Sequence, residues 1–447
     1  MNDPTGLPSP WRHSAASAGS WSVHHGDCLE WLRSLAADSV DSVVTDPPYG
    51  LGKPPPIRDV LRAWLDGERY EATGGGFMGR TWDAFVPGPV VWSEVFRVLK
   101  PGGHAVVFAG NRTADVMALA LRMGGFELRE LGAWCFWSGF PKSQNVAIQI
   151  DKQAGAIGHR GQRVKHHVGQ ENLHRPVGMP AYVPNTDDAK RWSGFGTALK
   201  PAIEPAWLVR KPITESSIAR NVLRWGTGAI NIDGCRFGYG DRAWVGPAGD
   251  VGDFSALKRS NSGHKLSAHN TTREPPSTLG RWPANLYHCP KASTAEREAG
   301  CDDLPTAEGH ELTGRDPDSA GLASGRSGAS FGSNRHNLHP TVKPVDLMRW
   351  LCRLVTPPGG LVIDPYTGSG TTGIGAVLEG LRFAGCEMNN EDGPPPQRFV
   401  DIAEARIRWW ERYGDEALDV WRASTSATEE REQLEAAGQV SLFGGVT

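Results

Sequence analysis

The chain has no Cys-x-x-Cys pair, no apolar run long enough to cross a bilayer, no basic surplus and no charged-then-apolar leader. Its seven cysteines (Cys28, Cys135, Cys235, Cys289, Cys301, Cys352 and Cys386) are scattered and odd in number. That usage argues against structural zinc and a disulfide framework, and for a reducing cytosol. A formal charge of -3 excludes a uniformly basic protein, so any nucleic-acid surface must come from local clusters. No membrane partner is expected, and the expected location is the cytoplasm. What remains is 447 residues, enough for one large domain with an insertion, or two domains, together with a tail.

Residues 1–20 have turn-forming composition and are expected to be disordered. From Trp21 the pattern changes. Residues 21–25 suit a strand, Asp27 suits the cap of a helix carrying Leu29, Leu32 and Leu35, and 41–45 form a strand that delivers Asp46. Trp92, Val95, Phe96 and Leu99 share a helical face that Pro101-Gly102-Gly103 is expected to stop, before a buried strand at 105–109. A second block repeats the alternation: a stripe of Leu347, Met348, Leu351, Leu354 and Val355, a strand at 361–363, a helix from Thr371 to about Glu379, and a strand at 383–386 leading into Glu387. Such alternation predicts an α/β fold, a mainly parallel Rossmann-like sheet with helices on both faces. Between the blocks periodicity is weak, although 205–209 and 283–288 read as further core strands. The expected division is an N-terminal stretch 1–20, a first half 21–150, a loop-rich insertion 151–338, a second half 339–413, and a helix end with flexible tail at 414–447.

Gly368-Ser369-Gly370-Thr371-Thr372-Gly373 follows a strand, opens a helix and has an acid, Glu387, about twenty residues on. Glycines there permit close backbone approach to a ligand, and the acid would accept hydrogen bonds from ribose hydroxyls. By itself this pattern also suits NAD. Asp364, at the strand end within Asp364-Pro365-Tyr366-Thr367, shifts the balance: a carboxylate there repels a pyrophosphate but pairs with the ammonium group of S-adenosyl-L-methionine.

Asp46-Pro47-Pro48-Tyr49 ends the other strand and supplies a carboxylate, carbonyls whose direction proline fixes, and an aromatic face. Asp46 and the Pro47 carbonyl could accept both hydrogens of an exocyclic amine while Tyr49 stacks on its base. A duplex base would have to flip out to reach such a pocket.

With the Asp46 motif preceding the Gly368 motif, the chain resembles the amino-methyltransferases of the β circular order, which methylate adenine N6 or cytosine N4 in DNA. The match spans about 21–150 and 335–413. The resemblance implies a methyltransferase fold, S-adenosyl-L-methionine as cofactor, double-stranded DNA as partner and a prokaryotic or phage origin. In His24-His25-Gly26-Asp27-Cys28-Leu29 it makes Asp27 and Cys28 neighbours of the cofactor adenine. In His339-Pro340-Thr341-Val342-Lys343-Pro344 it places Thr341 and Lys343 at the cofactor carboxylate. The segment from Trp137 to Ser143, with Lys142, is similar to the lining of the flipped-base pocket. Two departures are Tyr366, where phenylalanine is usual, and a Pro-rich insertion from Asn389 to Arg398. Asp-Pro-Pro-Tyr leans towards adenine within the family. Cytosine N4 methylation, a non-catalytic DNA-binding protein and an NAD enzyme stay open as alternatives, as does pairing with a restriction enzyme.

In the middle of the chain, Arg160, Arg163, Lys165 and Arg175 face a single acid, Glu171, and Trp192 adjoins Lys190 and Arg191, as phosphate-contacting and base-stacking surfaces do. His159, His166, His167 and His174 lack Cys or carboxylate partners at ligand spacing, so no metal is expected. At the C-terminus, Gln439-Val440-Ser441-Leu442-Phe443 resembles the pentapeptide with which bacterial DNA-processing proteins dock on the sliding clamp, with Gln439, Leu442 and Phe443 as contacts. Homodimer formation is left open.

Overall fold

The structure is a computed structural model that describes residues 20–72, 81–136, 143–156, 158–160, 182–238, 241, 280–306, 335–388 and 398–423. The expected clamp-docking segment, Lys142, Arg163 and Lys165 lie outside the described residues.

The chain divides into two compact units, Met1–Phe136 with Ile203–Thr447, and Trp137–Ala202. The first is built on an eight-stranded sheet of β1 (Trp21–His25), β2 (Val40–Thr45), β3 (Leu99–Phe108), β4 (Glu127–Cys135), β7 (Ile203–Arg210), β8 (Leu286–His288), β9 (Leu361–Asp364) and β10 (Arg382–Glu387). Their spatial order is β1-β10-β9-β2-β3-β7-β4-β8. Pairing is parallel except around β7, which runs antiparallel to both β3 and β4. The expected α/β architecture is therefore present, with one reversed strand wedged into it.

Strand periodicity explains why both faces are covered. On β2, Val43 and Val44 point to opposite faces; on β3, Ala105 and Val107 join one core while Val106 and Phe108 join the other. The first core packs beneath the helices Cys28–Ser34, Ile57–Leu65, Pro89–Val98 and Ala114–Met123. The second packs beneath Val345–Val355, Thr371–Leu378 and Phe399–Tyr413. Asp27 caps the first of these helices as expected, its carboxylate accepting from the backbone N–H of Leu29 at 2.8 Å and of Glu30 at 3.1 Å.

One expectation needs correction. Pro101-Gly102-Gly103 does not separate helix from strand; the helix ends at Val98 and β3 starts at once. The register jumps from Val40↔Leu99 to Ser42↔His104, so the Pro-Gly-Gly residues bulge from a continuous strand. Gly102 has a φ of +80°, and the Pro101 carbonyl accepts hydrogen bonds from buried Asn221 and Thr227. Glycine's freedom lets the strand loop out and resume.

The second unit, 137–202, holds a two-stranded ribbon of β5 (His159–Arg160) and β6 (Tyr182–Val183) and the helices Val146–Gln153 and Asp187–Arg191. Its organising group is buried Asp151, which accepts from the Tyr182 hydroxyl, the Asn185 N–H, and the Thr186 N–H and hydroxyl. Burial opposes that charge, but the bonds from Thr186, Asn185 and Tyr182 more than offset it and hold the carboxyl well below the usual range. The separate unit is narrower than the expected insertion: described residues from Ile203 onward belong to the first unit.

Candidate active site

The expected motif strands are neighbours. β2 and β9 pair in parallel with Ser42↔Val362 and Val43↔Ile363, so their carboxyl ends release Asp46 and Asp364 side by side. Ligands of open α/β sheets bind in such a crevice. A direct link joins the two ends, the Thr45 hydroxyl donating to Asp364 Oδ1 at 2.6 Å.

Asp364 is buried and its other oxygen accepts from the Thr372 hydroxyl at 2.6 Å, while the Tyr366 N–H donates to Oδ1 at 3.0 Å. Burial pushes this carboxyl up to about 6 despite those bonds. Glu387, half-buried at the end of β10, accepts from the Gly368 N–H at 2.6 Å and is pushed up to about 8, again by burial. Between the two acids runs the glycine loop. Gly370 has a φ of +80°, and a Cβ there would lie 2.9 Å from the Ala403 backbone. His339 packs against Gly368, and burial lowers its pKa to about 4. The neutral ring therefore carries its proton on Nδ1, which donates to the Thr341 carbonyl.

Several residues expected at the cofactor are engaged within the protein. The hydroxyls of Ser369 and Thr371 accept from Arg406 Nη1, at 3.0 and 3.2 Å, and that of Thr372 is spent on Asp364. All three residues are buried and support the loop from within. Pro365 is buried at the turn. Burial pushes the Cys28 thiol up to about 11, while the Tyr366 phenol stays well above its usual range. Both are neutral walls on the side where Asp27 caps its helix.

Lys343 has close partners within the protein as well. Expected at a cofactor carboxylate, its Nζ lies 2.5 Å from Asp46 Oδ2, 3.2 Å from Glu204 Oε2 and 3.1 Å from the Tyr49 hydroxyl. The side chain is 8% exposed and sits over the Phe108 and Tyr49 rings at 4.7 and 5.3 Å. An ammonium so enclosed needs anions. Burial opposes its charge, but Asp46 and Glu204 more than offset it and hold the pKa above its ordinary value. Glu204 is held below the usual carboxylate range because Lys343 and Lys291 outweigh its burial. Tyr49 donates to Glu204 at 3.1 Å; burial and the neighbouring Asp46 and Glu204 keep it a phenol. The backbone of the motif is pinned as well: Asp83 accepts from the N–H groups of Tyr49, Gly50 and Leu51.

Asp46 Oδ1, by contrast, is buried and without a hydrogen-bond partner. A buried acceptor in that state calls for a ligand, a water or strain to satisfy it. Lys343, paired with the other oxygen, lies over the Tyr49, Phe108 and Trp134 rings at 5.3, 4.7 and 5.9 Å, and Lys291 lies 4.2 Å from the Phe136 ring. An unsatisfied acceptor thus sits on the carboxylate that pairs with a ring-flanked ammonium.

Sequence reasoning missed Glu204, Lys291, Asp83 and Arg406. A signal existed for two of them: Glu204 sits between prolines at a strand start, and Arg406 interrupts the apolar stripe of Ile402, Ala403, Ile407 and Trp410. Of the expected DNA contacts, Trp192 is 44% exposed and stacks edge-on with Phe195 at 5.0 Å. Ser143 is spent locally on Thr197 and Ala198. The Arg160 backbone lies in the short ribbon.

A parallel sheet with a glycine loop between two strand-end acids defines a Rossmann-like cofactor-binding fold. The chain belongs to the DNA methylase family (N6_N4_Mtase), which matches residues 40–154 and 251–392, over half its length. It is 40% identical to the DNA adenine methyltransferase YhdJ of Escherichia coli (strain K12) over 65 residues, which are 14% of this chain and 22% of that relative. Together with the putative methylase YubD of that organism, of which 26% is covered, the matched stretch spans about a quarter of these relatives. The Type II methyltransferase M.HindIII of Haemophilus influenzae is 20% identical over 402 residues, covering 82% of this chain and 91% of that one. Among solved structures, the cytosine-N4-specific PvuII DNA methyltransferase aligns over 90% of this chain and 94% of its own, at 16% identity and a TM-score of 0.40. Among the described residues, no helix is long and apolar enough to cross a membrane.

Proposed function

We propose that the protein transfers a methyl group from S-adenosyl-L-methionine to the exocyclic amino group of a flipped-out base in double-stranded DNA, with adenine N6 favoured. The carrying observation is Asp46 Oδ1, an unsatisfied buried acceptor on the carboxylate that pairs with ring-flanked Lys343, one strand away from the glycine loop. Such an oxygen suits an amino N–H, and the rings suit the faces of a base.

The glycine loop fits the cofactor. Glu387 would hold the ribose hydroxyls, Gly368 and Gly370 let the loop pack closely on His339 and Ala403, and Asp364 would favour an ammonium group over a phosphate. When bound, the cofactor supplies an electrophilic methyl group. Asp46 and the Pro47 carbonyl orient the amino nitrogen, and Asp46 Oδ1 lies where that nitrogen sheds its proton. Catalysis is then chiefly positioning. The match to an adenine-specific relative supports adenine, as does Asp-Pro-Pro-Tyr. Cytosine N4 is the second reading, because its amino group presents the same two hydrogens. The unit 137–202, with Trp192 and Phe195 exposed, is assigned to target recognition. Single-molecule sequencing of DNA from cells expressing the protein tests the reading: a modified amino base at a fixed site is expected, and unmodified DNA from cells containing soluble protein would reject it.

A further inference from the structure

Lys343 is paired with Asp46 and lies over the Tyr49, Phe108 and Trp134 rings, and the proposed reaction gives the lysine no part. Asp46 Oδ2 is covered by the ammonium, and Oδ1 faces no partner. Side by side, the free oxygen and the ammonium present an acceptor next to a donor. Glu204 keeps the donor there: it shares Lys343 with Asp46 and takes the Tyr49 hydroxyl, while Lys291 lies 3.7 Å from its other oxygen.

The Watson–Crick edges of adenine and cytosine carry the complementary pair, an amino group beside an unprotonated ring nitrogen. Guanine places an N–H at the corresponding edge position, and thymine has no amino group. The geometry points to Lys343 as a specificity-determining residue that donates to the ring nitrogen beside the target amino group, with Glu204 as the positioning residue that anchors it. The inference rests on the proposed amino-base methylation. An ammonium has three N–H donors, and in the free protein they meet Asp46, Glu204 and the Tyr49 oxygen. Tyr49 is the partner that can be given up, since its own hydrogen stays on Glu204. The ring nitrogen takes its place, and no charge is stranded in the pocket.

The test uses duplexes carrying the methylated site, with either the natural target base or its deaza analogue, 1-deazaadenine or 3-deazacytosine, which replaces that ring nitrogen by C–H. The wild-type enzyme should methylate the analogue at least about tenfold more slowly in kcat/KM, the loss of one charge-assisted hydrogen bond. Lys343→Met should be slower on the natural base and should bring the ratio between the two substrates close to one. Glu204→Gln, which retains Asp46 as an anchor for Lys343, should give an intermediate ratio. Comparison within each variant removes any intrinsic difference in amine reactivity. Equal wild-type rates on both substrates would overturn the inference, as would a Lys343→Met enzyme with the wild-type ratio. The wild-type comparison stands even where a variant does not fold. Absence of methyl transfer to the natural duplex would instead reject the underlying reaction.

Discussion

Asp46 and Asp364 are both strand-end aspartates, yet their surroundings assign them different work. Asp46 retains an unpartnered oxygen, whereas both oxygens of Asp364 are engaged by Thr45, Tyr366 and Thr372. Asp46→Ala should therefore lower methyl transfer by about 10²–10⁴-fold, as loss of a positioned proton acceptor does, while calorimetric cofactor binding stays nearly intact. Asp364→Ala should weaken cofactor binding; parallel loss of both properties in both variants would contradict this division. Glu387 adds a pH dependence. Its carboxyl is held up at about 8, so the free protein carries the proton at neutral pH, and on the proposed reading ribose hydroxyls would donate to the ionised form. Cofactor binding must then expel that proton, and affinity should climb as pH rises toward 8, by about tenfold per unit at most, and level off above it. The corresponding stability term of the unliganded fold has the opposite trend, being lost as pH rises from the ordinary carboxyl range to about 8. Calorimetry in buffers of differing ionisation enthalpy should detect up to one proton released per cofactor, and none for Glu387→Gln. These acids were legible in the sequence because each follows a short apolar run. The partners of Lys343 were not, because Asp46, Glu204 and Lys343 come from distant stretches whose meeting depends on strand order.

Among elements, the helix Phe399–Tyr413 controls the glycine loop. Arg406, fully buried, donates to Ser369 and Thr371, and Ala403 lies against Gly370. Gly370→Ala would force a side chain into a left-handed backbone and against the Ala403 backbone. It should cost about 1–3 kcal/mol in denaturant unfolding and weaken cofactor binding. A variant as stable as the parent would show that the loop can shift freely. Several helices and most strands of the main unit could be anticipated from periodicity, since Val345–Val355 carries a full apolar stripe and 41–45 a buried run, whereas the helices Ile57–Leu65, Ala114–Met123 and Ile218–Trp225 were not. The bulge at 101–103 could not. Pro-Gly-Gly after an apolar helix reads as a stop, and only pairing with β2 reveals a strand that continues through it.

At the scale of the whole molecule, order of motifs, the long polar middle and the parallel alternation were enough to indicate the α/β plan. The antiparallel seat of β7 was not legible, because strand direction leaves no mark on a buried run of this kind. Nor was the limit of the second unit, which depends on Asp151 and its ring of donors. Since hydrogen bonding holds that carboxyl below its ordinary range, its contribution is present above the unfolded carboxyl value and is lost as pH falls toward the depressed folded one. Limited proteolysis at descending pH should therefore open 137–202 early in the wild type. Asp151→Asn should be cut more readily at neutral pH and with a flatter pH profile; identical profiles would exclude Asp151 as the keystone.

The pairing of β2 with β9 also orders events in time. A ribosome delivers β2 more than three hundred residues before β9, and β1 must wait still longer for β10. From the delivery of β2 until that of β9 the nascent chain therefore carries an unpaired sheet edge beside Asp46, an open template for wrong pairings. The juxtaposition of Asp46 and Asp364 comes only with β9, by the same closure that removes this hazard. On the proposed reading, a chain that has not yet delivered β9 would be unable to methylate.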